Sequence, residues 1–116
     1  MYNKIAKISP VKTVLKLNAV LPNWKVAENG ASSSLSRSIV CKNFEDTWAL
    51  LTKVSMRAHL LGHHPTITTT YNKISFRLTT HDLAEAGGEG VISDVDVKLA
   101  KKIDEYAGLF LREDRA

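Results

Sequence analysis

Apolar residues recur at two spacings along the chain, and the change of spacing divides it into elements. Ser9 followed by Pro10 reads as an N-cap and first helical residue, and Val11, Val14 and Leu15 set a short helical stripe that Leu21-Pro22-Asn23 ends. From Trp24 the period becomes two. Trp24 and Val26 alternate with polar neighbours, Asn29-Gly30 marks a turn and Ser36 to Lys42 returns, so residues 24–42 predict a hairpin. Asn43 caps the clearest helix, with Asp46 at its N3 position. Phe44, Trp48, Leu51, Val54, Ala58 and Leu61 form the apolar face of that helix, and Gly62 stops it. Thr66 to Tyr71 and Ile74 to Thr80 are β-rich, with Asn72-Lys73 as a tight loop between them. In the second of these strands Ile74, Phe76 and Leu78 share one face, and Ser75, Arg77 and Thr79 share the other. Ala84 to Gly90 is a glycine-rich loop, and Ser93 caps a last helix striped by Leu99, Ile103, Tyr106 and Phe110.

The order α-β-β-α-β-β-α predicts an α+β fold, a four-stranded antiparallel sheet with helices packed on one face. One domain over residues 1–116 is expected, with a basic N-terminal helix over 1–20. The edges of such a sheet are available for pairing in an oligomer.

Composition narrows the class. With 44% hydrophobic and 24% charged residues, a disordered or collagen-like chain is excluded. No apolar run approaches the ~20 residues of a membrane span, so no membrane partner is expected. The net charge of +4 comes entirely from residues 1–27, which carry Lys4, Lys7, Lys12, Lys16 and Lys25 and no acid. These lysines read as a solvated face on the first helix. A nucleic-acid arm and an organelle presequence are the alternatives. The Arg-rich, Ser-rich bias of a transit peptide and the apolar core of a secretory signal are both missing. A cytoplasmic location is expected, with the mitochondrion as the alternative, and nucleic acid is not an expected partner. Cys41 is the only cysteine, so no internal disulfide can form, and its strand-like setting reads as a buried inert thiol.

All four histidines fall between residues 59 and 81. His59 lies nearly three helical turns after Trp48 and so shares its face. His63 follows four residues later, at the helix end, and Pro65 pushes His64 out of the α region. His63 and His64 should therefore sit at the mouth between helix and sheet, where His81 could return. One reading is structural, with each ring satisfied by backbone. A second is a metal site, from the i,i+4 spacing of His59 and His63, but no Glu adjoins His59 and no Cys is near. A third is acid–base chemistry, since an imidazole exchanges protons near neutrality.

His59, His63-His64-Pro65, Tyr71-Asn72-Lys73, Leu78-Thr79-Thr80-His81-Asp82, Asp96 and Leu99-Ala100 together resemble the pterin-4a-carbinolamine dehydratases. Trp24 and Phe44-Glu45-Asp46-Thr47-Trp48-Ala49 extend the likeness over residues 20–107. The sequence departs from the pattern at three places. His59 stands where relatives often have Glu, Thr66-Ile67 replaces an acidic residue and Trp, and the loop before Asp96 is longer and carries Gly87-Gly88-Glu89-Gly90.

The resemblance implies dehydration of 4a-hydroxytetrahydropterin to quinonoid dihydropterin, in the recycling of tetrahydrobiopterin. No metal and no redox cofactor is expected, the pterin being the substrate. It implies His63 and His81 as the proton-transfer pair, with His64 orienting substrate or serving as an alternate acid. Asp96 either hydrogen-bonds a histidine or the pterin, or simply caps the last helix as N3 of the Ser93 box. His59 and Pro65 are further candidate pocket residues. Tyr71 is either pocket lining or a packed cross-strand aromatic, and Trp24 and Trp48 are core or pocket wall. A homodimer or homotetramer is expected. The alternative from a different class is a catalytically weak relative kept as a binding scaffold.

Overall fold

The structure, a computed structural model, describes residues 20–29, 32–80 and 90–111. Four strands and two helices occupy them: β1 (Lys25–Asn29), β2 (Ser32–Val40), α1 (Phe44–Leu61), β3 (Thr66–Thr70), β4 (Lys73–Leu78) and α2 (Asp94–Ala107). The strands form one antiparallel sheet in the order β1-β2-β4-β3. The α+β architecture is thus the expected one. Residues 9–19 of the helix expected over 9–21, the Gly-rich loop at 84–89, His81 and the lysines before Lys25 lie outside the described residues, while Leu21 is buried in the core.

The sheet is two-faced because its strands alternate. In β4, Ile74, Phe76 and Leu78 are buried while Lys73, Ser75 and Arg77 are exposed. Register pairs Leu78 with Leu35 and Ile74 with Ile39, so β2 and β4 present one continuous apolar face. Leu50, Leu51, Val54 and Ala58 of α1 and Leu99, Ala100, Ile103 and Ala107 of α2 join it in a single core. Burying a Leu or Ile side chain in such a core contributes about 1.5–3 kcal/mol.

Register also carries a polar residue inward. Arg37 pairs with Phe76 and so lies on the helix-facing side of the sheet. There it forms an ion pair with Asp104 of α2. Trp24 Nε1–H donates to the same Asp104 carboxylate at 2.8 Å. Trp24 is accordingly a core residue, nearly fully buried.

Several boundaries and one helix face differ from expectation. β2 begins at Ser32 rather than Ser36, because the serines, poor strand formers alone, are paired along β1. The β3–β4 loop is Tyr71-Asn72 rather than Asn72-Lys73, since Tyr71 itself takes the left-handed conformation (φ 52°). Phe44 and Trp48 do not lie on the buried face of α1, as each is 49% exposed and Thr47 occupies the inward position. The helix α2 ends at Ala107, so Phe110 packs from the following turn rather than from the helical stripe. Among the described residues no helix is long and apolar enough to cross a membrane.

Candidate active site

The site forms where α1 ends and α2 begins. Asn43 starts α1, its side chain accepting from Asp46 N–H at 2.7 Å. Gly62 ends it in the left-handed conformation (φ 72°), which a side chain would strain. This cap reverses the chain, and His63 N–H donates back to Ala58 C=O at 3.0 Å. The His63 ring is thereby turned inward, with its side chain 13% exposed, while His64 stays exposed and Pro65 leads into β3.

The other wall is the start of α2. Ser93 caps it, and Asp96 closes a capping box: Asp96 Oδ2 accepts from Ser93 N–H at 2.9 Å, and Ser93 Oγ accepts from Asp96 N–H. The Asp96 side chain is completely buried. Its Oδ2 also accepts from Thr80 Oγ1–H at 2.7 Å, and its Oδ1 hydrogen-bonds His63 Nε2. Asp96 therefore caps α2 through Oδ2 and hydrogen-bonds His63 through Oδ1.

Thr80 reaches Asp96 through a paired bridge to Val91, with N–H···O=C bonds of 2.8 and 3.1 Å. Gly90 (φ 119°) makes the approach possible, because a Cβ there would stand 2.7 Å from Thr79 Oγ1. Ser93 Oγ ends 2.6 Å from Thr80 Oγ1.

An ionised carboxylate only accepts, so toward it the ring donates from Nε2–H, and the neutral tautomer that does so carries its lone pair on Nδ1. That nitrogen can take a proton from a bound molecule, and the resulting cation is held by a buried anion. Beside it, His59 and His64 stand with ring centroids 5.8 Å apart, tilted by 49°. The end of α1 therefore holds a His63–Asp96 pair with a buried carboxylate and two exposed imidazoles, a set suited to moving protons. Among the described residues no group of three or more His, Cys, Asp and Glu is arranged to hold a metal ion.

Of the residues singled out from sequence, the structure joins His63 to Asp96 and sets the His59 ring beside that of His64, with Pro65 next along the chain. His81, next after Thr80, lies outside the described residues. Tyr71 is not brought to this place. It sits at the β3–β4 tip, stacked on Phe44 at 6.2 Å with a 16° interplanar angle. Asn72 fixes the tip there by donating to Cys41 C=O at 3.1 Å. Phe44 and His63 stand at opposite ends of the 18-residue α1, about 27 Å long. The sequence reading missed Thr80 and, as partner rather than cap, Ser93. The Ser93-x-x-Asp96 box was legible, but nothing local tied Thr80 to it.

Comparison with known proteins gives a consistent picture. The family described as pterin 4 alpha carbinolamine dehydratase matches residues 6–106. A Saccharomyces cerevisiae relative, named "Putative pterin-4-alpha-carbinolamine dehydratase", is 40% identical over 115 residues, covering 91% of this chain and 95% of its own. A Synechococcus relative of the same name is 36% identical over 100 residues, covering 86% of this chain and 97% of its own. Among solved structures, a transcriptional coactivator/pterin dehydratase from Brucella melitensis superposes with a TM-score of 0.67 at 25% identity, over 84% of this chain and 98% of that one. A pterin dehydratase-like protein identified as a RuBisCO assembly factor in the alpha-carboxysome superposes with a TM-score of 0.58 at 20% identity, over 74% and 90%.

Proposed function

This chain belongs to the pterin-4a-carbinolamine dehydratase family, and from that premise we propose that it dehydrates 4a-hydroxytetrahydropterin to quinonoid dihydropterin, in tetrahydrobiopterin recycling. The observation that carries the reading is the buried Asp96 holding His63 at a mouth that also presents His64 and His59. The reaction needs no electron transfer. The C–O bond to the hydroxyl breaks, an acid supplies the proton that makes water the leaving group, and a base removes the proton of the adjacent ring nitrogen as the C=N bond forms. His63 Nδ1 suits the base or acid step, and its imidazolium would be stabilised by Asp96. His81 is the second proton-transfer group by resemblance, with His64 orienting the pterin or serving the other stereoisomer, and His59 and Pro65 bounding the pocket. Acid–base groups positioned in this way contribute about 10²–10⁴-fold. The pterin is the substrate, and no cofactor is proposed. The assembly expected is a homodimer or homotetramer, in the cytoplasm.

The test is turnover of synthetic 4a-hydroxytetrahydropterin by the purified chain, against His63→Ala and His81→Ala. Sharp loss in both folded variants supports the reading; full retention in both removes it. A second reading, a catalytically weak relative acting as a binding scaffold, is favoured by His59 and by Thr66-Ile67, which leave the pocket without the usual Glu and Trp. It predicts negligible turnover with pterin binding or self-association intact.

A further inference from the structure

We propose that Thr80 is a positioning residue for His63, acting through Asp96 without touching the reacting molecule. The inference deepens the dehydratase reading at the same site and rests on it for its kinetic readout alone.

The argument starts from proton counting. Thr80 Oγ1 has one proton and two neighbours, Asp96 Oδ2 at 2.7 Å and Ser93 Oγ at 2.6 Å. A carboxylate is the stronger acceptor, so Thr80 donates to Asp96. The Ser93 hydroxyl then donates to Thr80 Oγ1, which is nearer than Asp96 Oδ2 at 3.3 Å. The result is a directional chain, Ser93 to Thr80 to Asp96. All three side chains are essentially buried, Thr80 at 1% exposure and Ser93 and Asp96 at 0%. Their hydroxyl groups are thus spent within the protein.

This chain decides which carboxylate oxygen faces the histidine. Oδ2 is occupied by Thr80 Oγ1–H and Ser93 N–H, which leaves Oδ1 for His63 Nε2–H. A capping box needs only Ser93 and Asp96. Thr80 is an additional donor, 16 positions before Asp96, brought in by the bridge to Val91. Two donors converging on Oδ2 from different elements fix the rotation of the carboxylate. The fixed carboxylate fixes the imidazole tautomer, so that Nδ1 is the nitrogen offered to substrate.

Thr80→Val removes the hydroxyl at nearly constant volume, and Thr80→Ser keeps it. The measurement is the pair of ring ¹⁵N shifts of His63 in the full chain near neutral pH, with kcat and KM alongside. The wild type and Thr80→Ser should show the Nε2–H tautomer, and Thr80→Val a mixture. In Thr80→Val kcat should fall about 10-fold or more with KM within about twofold, while Thr80→Ser stays within about twofold of wild type. A Thr80→Val protein with unchanged tautomer and kcat overturns the proposal. So does a wild-type ring already in the Nδ1–H form, which needs no variant and covers the case where Thr80→Val does not fold. The ¹⁵N shifts require no turnover, so an inactive wild type removes the dehydratase reading while the positioning role is judged separately.

Discussion

His63 and Asp96 are 33 positions apart, yet the imidazole of one and the fully buried carboxylate of the other form a single hydrogen-bonded unit. Each is placed by the end of a helix: His63 by the glycine cap that closes α1, Asp96 by the capping box that opens α2. Helix ends hold unpaired backbone groups that short polar side chains can satisfy. Here the residues that satisfy them also build the dyad.

Asp96→Asn tests that unit at nearly constant volume. The amide offers one acceptor, whereas Asp96 now accepts from His63, Thr80 and Ser93. At least one buried donor must then face the amide NH2. Expected outcomes are a kcat lower by about 10²-fold and a stability loss of about 1–3 kcal/mol, read by steady-state assay and urea unfolding. Wild-type turnover in a folded Asp96→Asn protein would break the link between the dyad and catalysis.

Arg37 and Asp104 supply a second test, one of stability. Arg37 is 11% exposed and Asp104 is 27% exposed, so removal of the acid strands the more deeply buried charge. Asp104→Ala also takes the acceptor from Trp24 Nε1–H. It should cost about 1–3 kcal/mol, more than Arg37→Met, which keeps the aliphatic volume and leaves Asp104 partly in water. Urea denaturation followed by tryptophan fluorescence ranks the two, and the reverse order would contradict the burial argument.

Much of the frame was legible in sequence because it is written in local signals. Asn43 and Gly62 bound α1 as expected, and the alternation Ile74, Phe76, Leu78 identified the buried face of β4. What escaped depends on distant partners. The inward placement of Arg37 follows from its parity with Leu35 and Ile39, but its acceptor lies 67 positions on. Trp48 and Phe44 have the composition of core residues, and only the packing of Thr47 shows that they face outward. The loop shift arose because Tyr71, rather than Asn72, takes the positive φ, a choice against residue preference that the Phe44 stack accompanies. In the site, His63 and Asp96 were named from a family pattern, and the two-sided role of Asp96 became visible only when Thr80 was brought across the sheet end.

Tyr71 separates the family pattern from the geometry. The resemblance makes it a pocket candidate, whereas the structure stacks it on Phe44 with 66% of its surface exposed. Tyr71→Ala should leave kcat and KM within about twofold, since the ring stands roughly a helix length from His63. It should cost less than about 1.5 kcal/mol from the lost ring pair. A large rise in KM, measured on an assembled sample, would instead place Tyr71 beside substrate bound to a neighbouring copy.

Cys41 offers a pH-dependent prediction. The thiol is completely buried, and burial raises its pKa; the nearby Asp46 charge adds to this, against a lowering hydrogen bond from Thr47. The folded state thus favours the neutral thiol more than the unfolded state does. The resulting stability is present in full below the unfolded-state pKa of about 8.5. It is lost as pH rises through the folded-state value, because the unfolded chain releases its proton first. The difference in urea midpoint between wild type and Cys41→Ala should therefore be constant near neutrality and shrink at alkaline pH, with other titrating groups cancelling in the comparison. In the same window a thiol reagent such as dithionitrobenzoate should label native protein far more slowly than urea-unfolded protein. Labelling at equal rates would show that the thiol is reached without unfolding, and the alkaline trend would then have another origin.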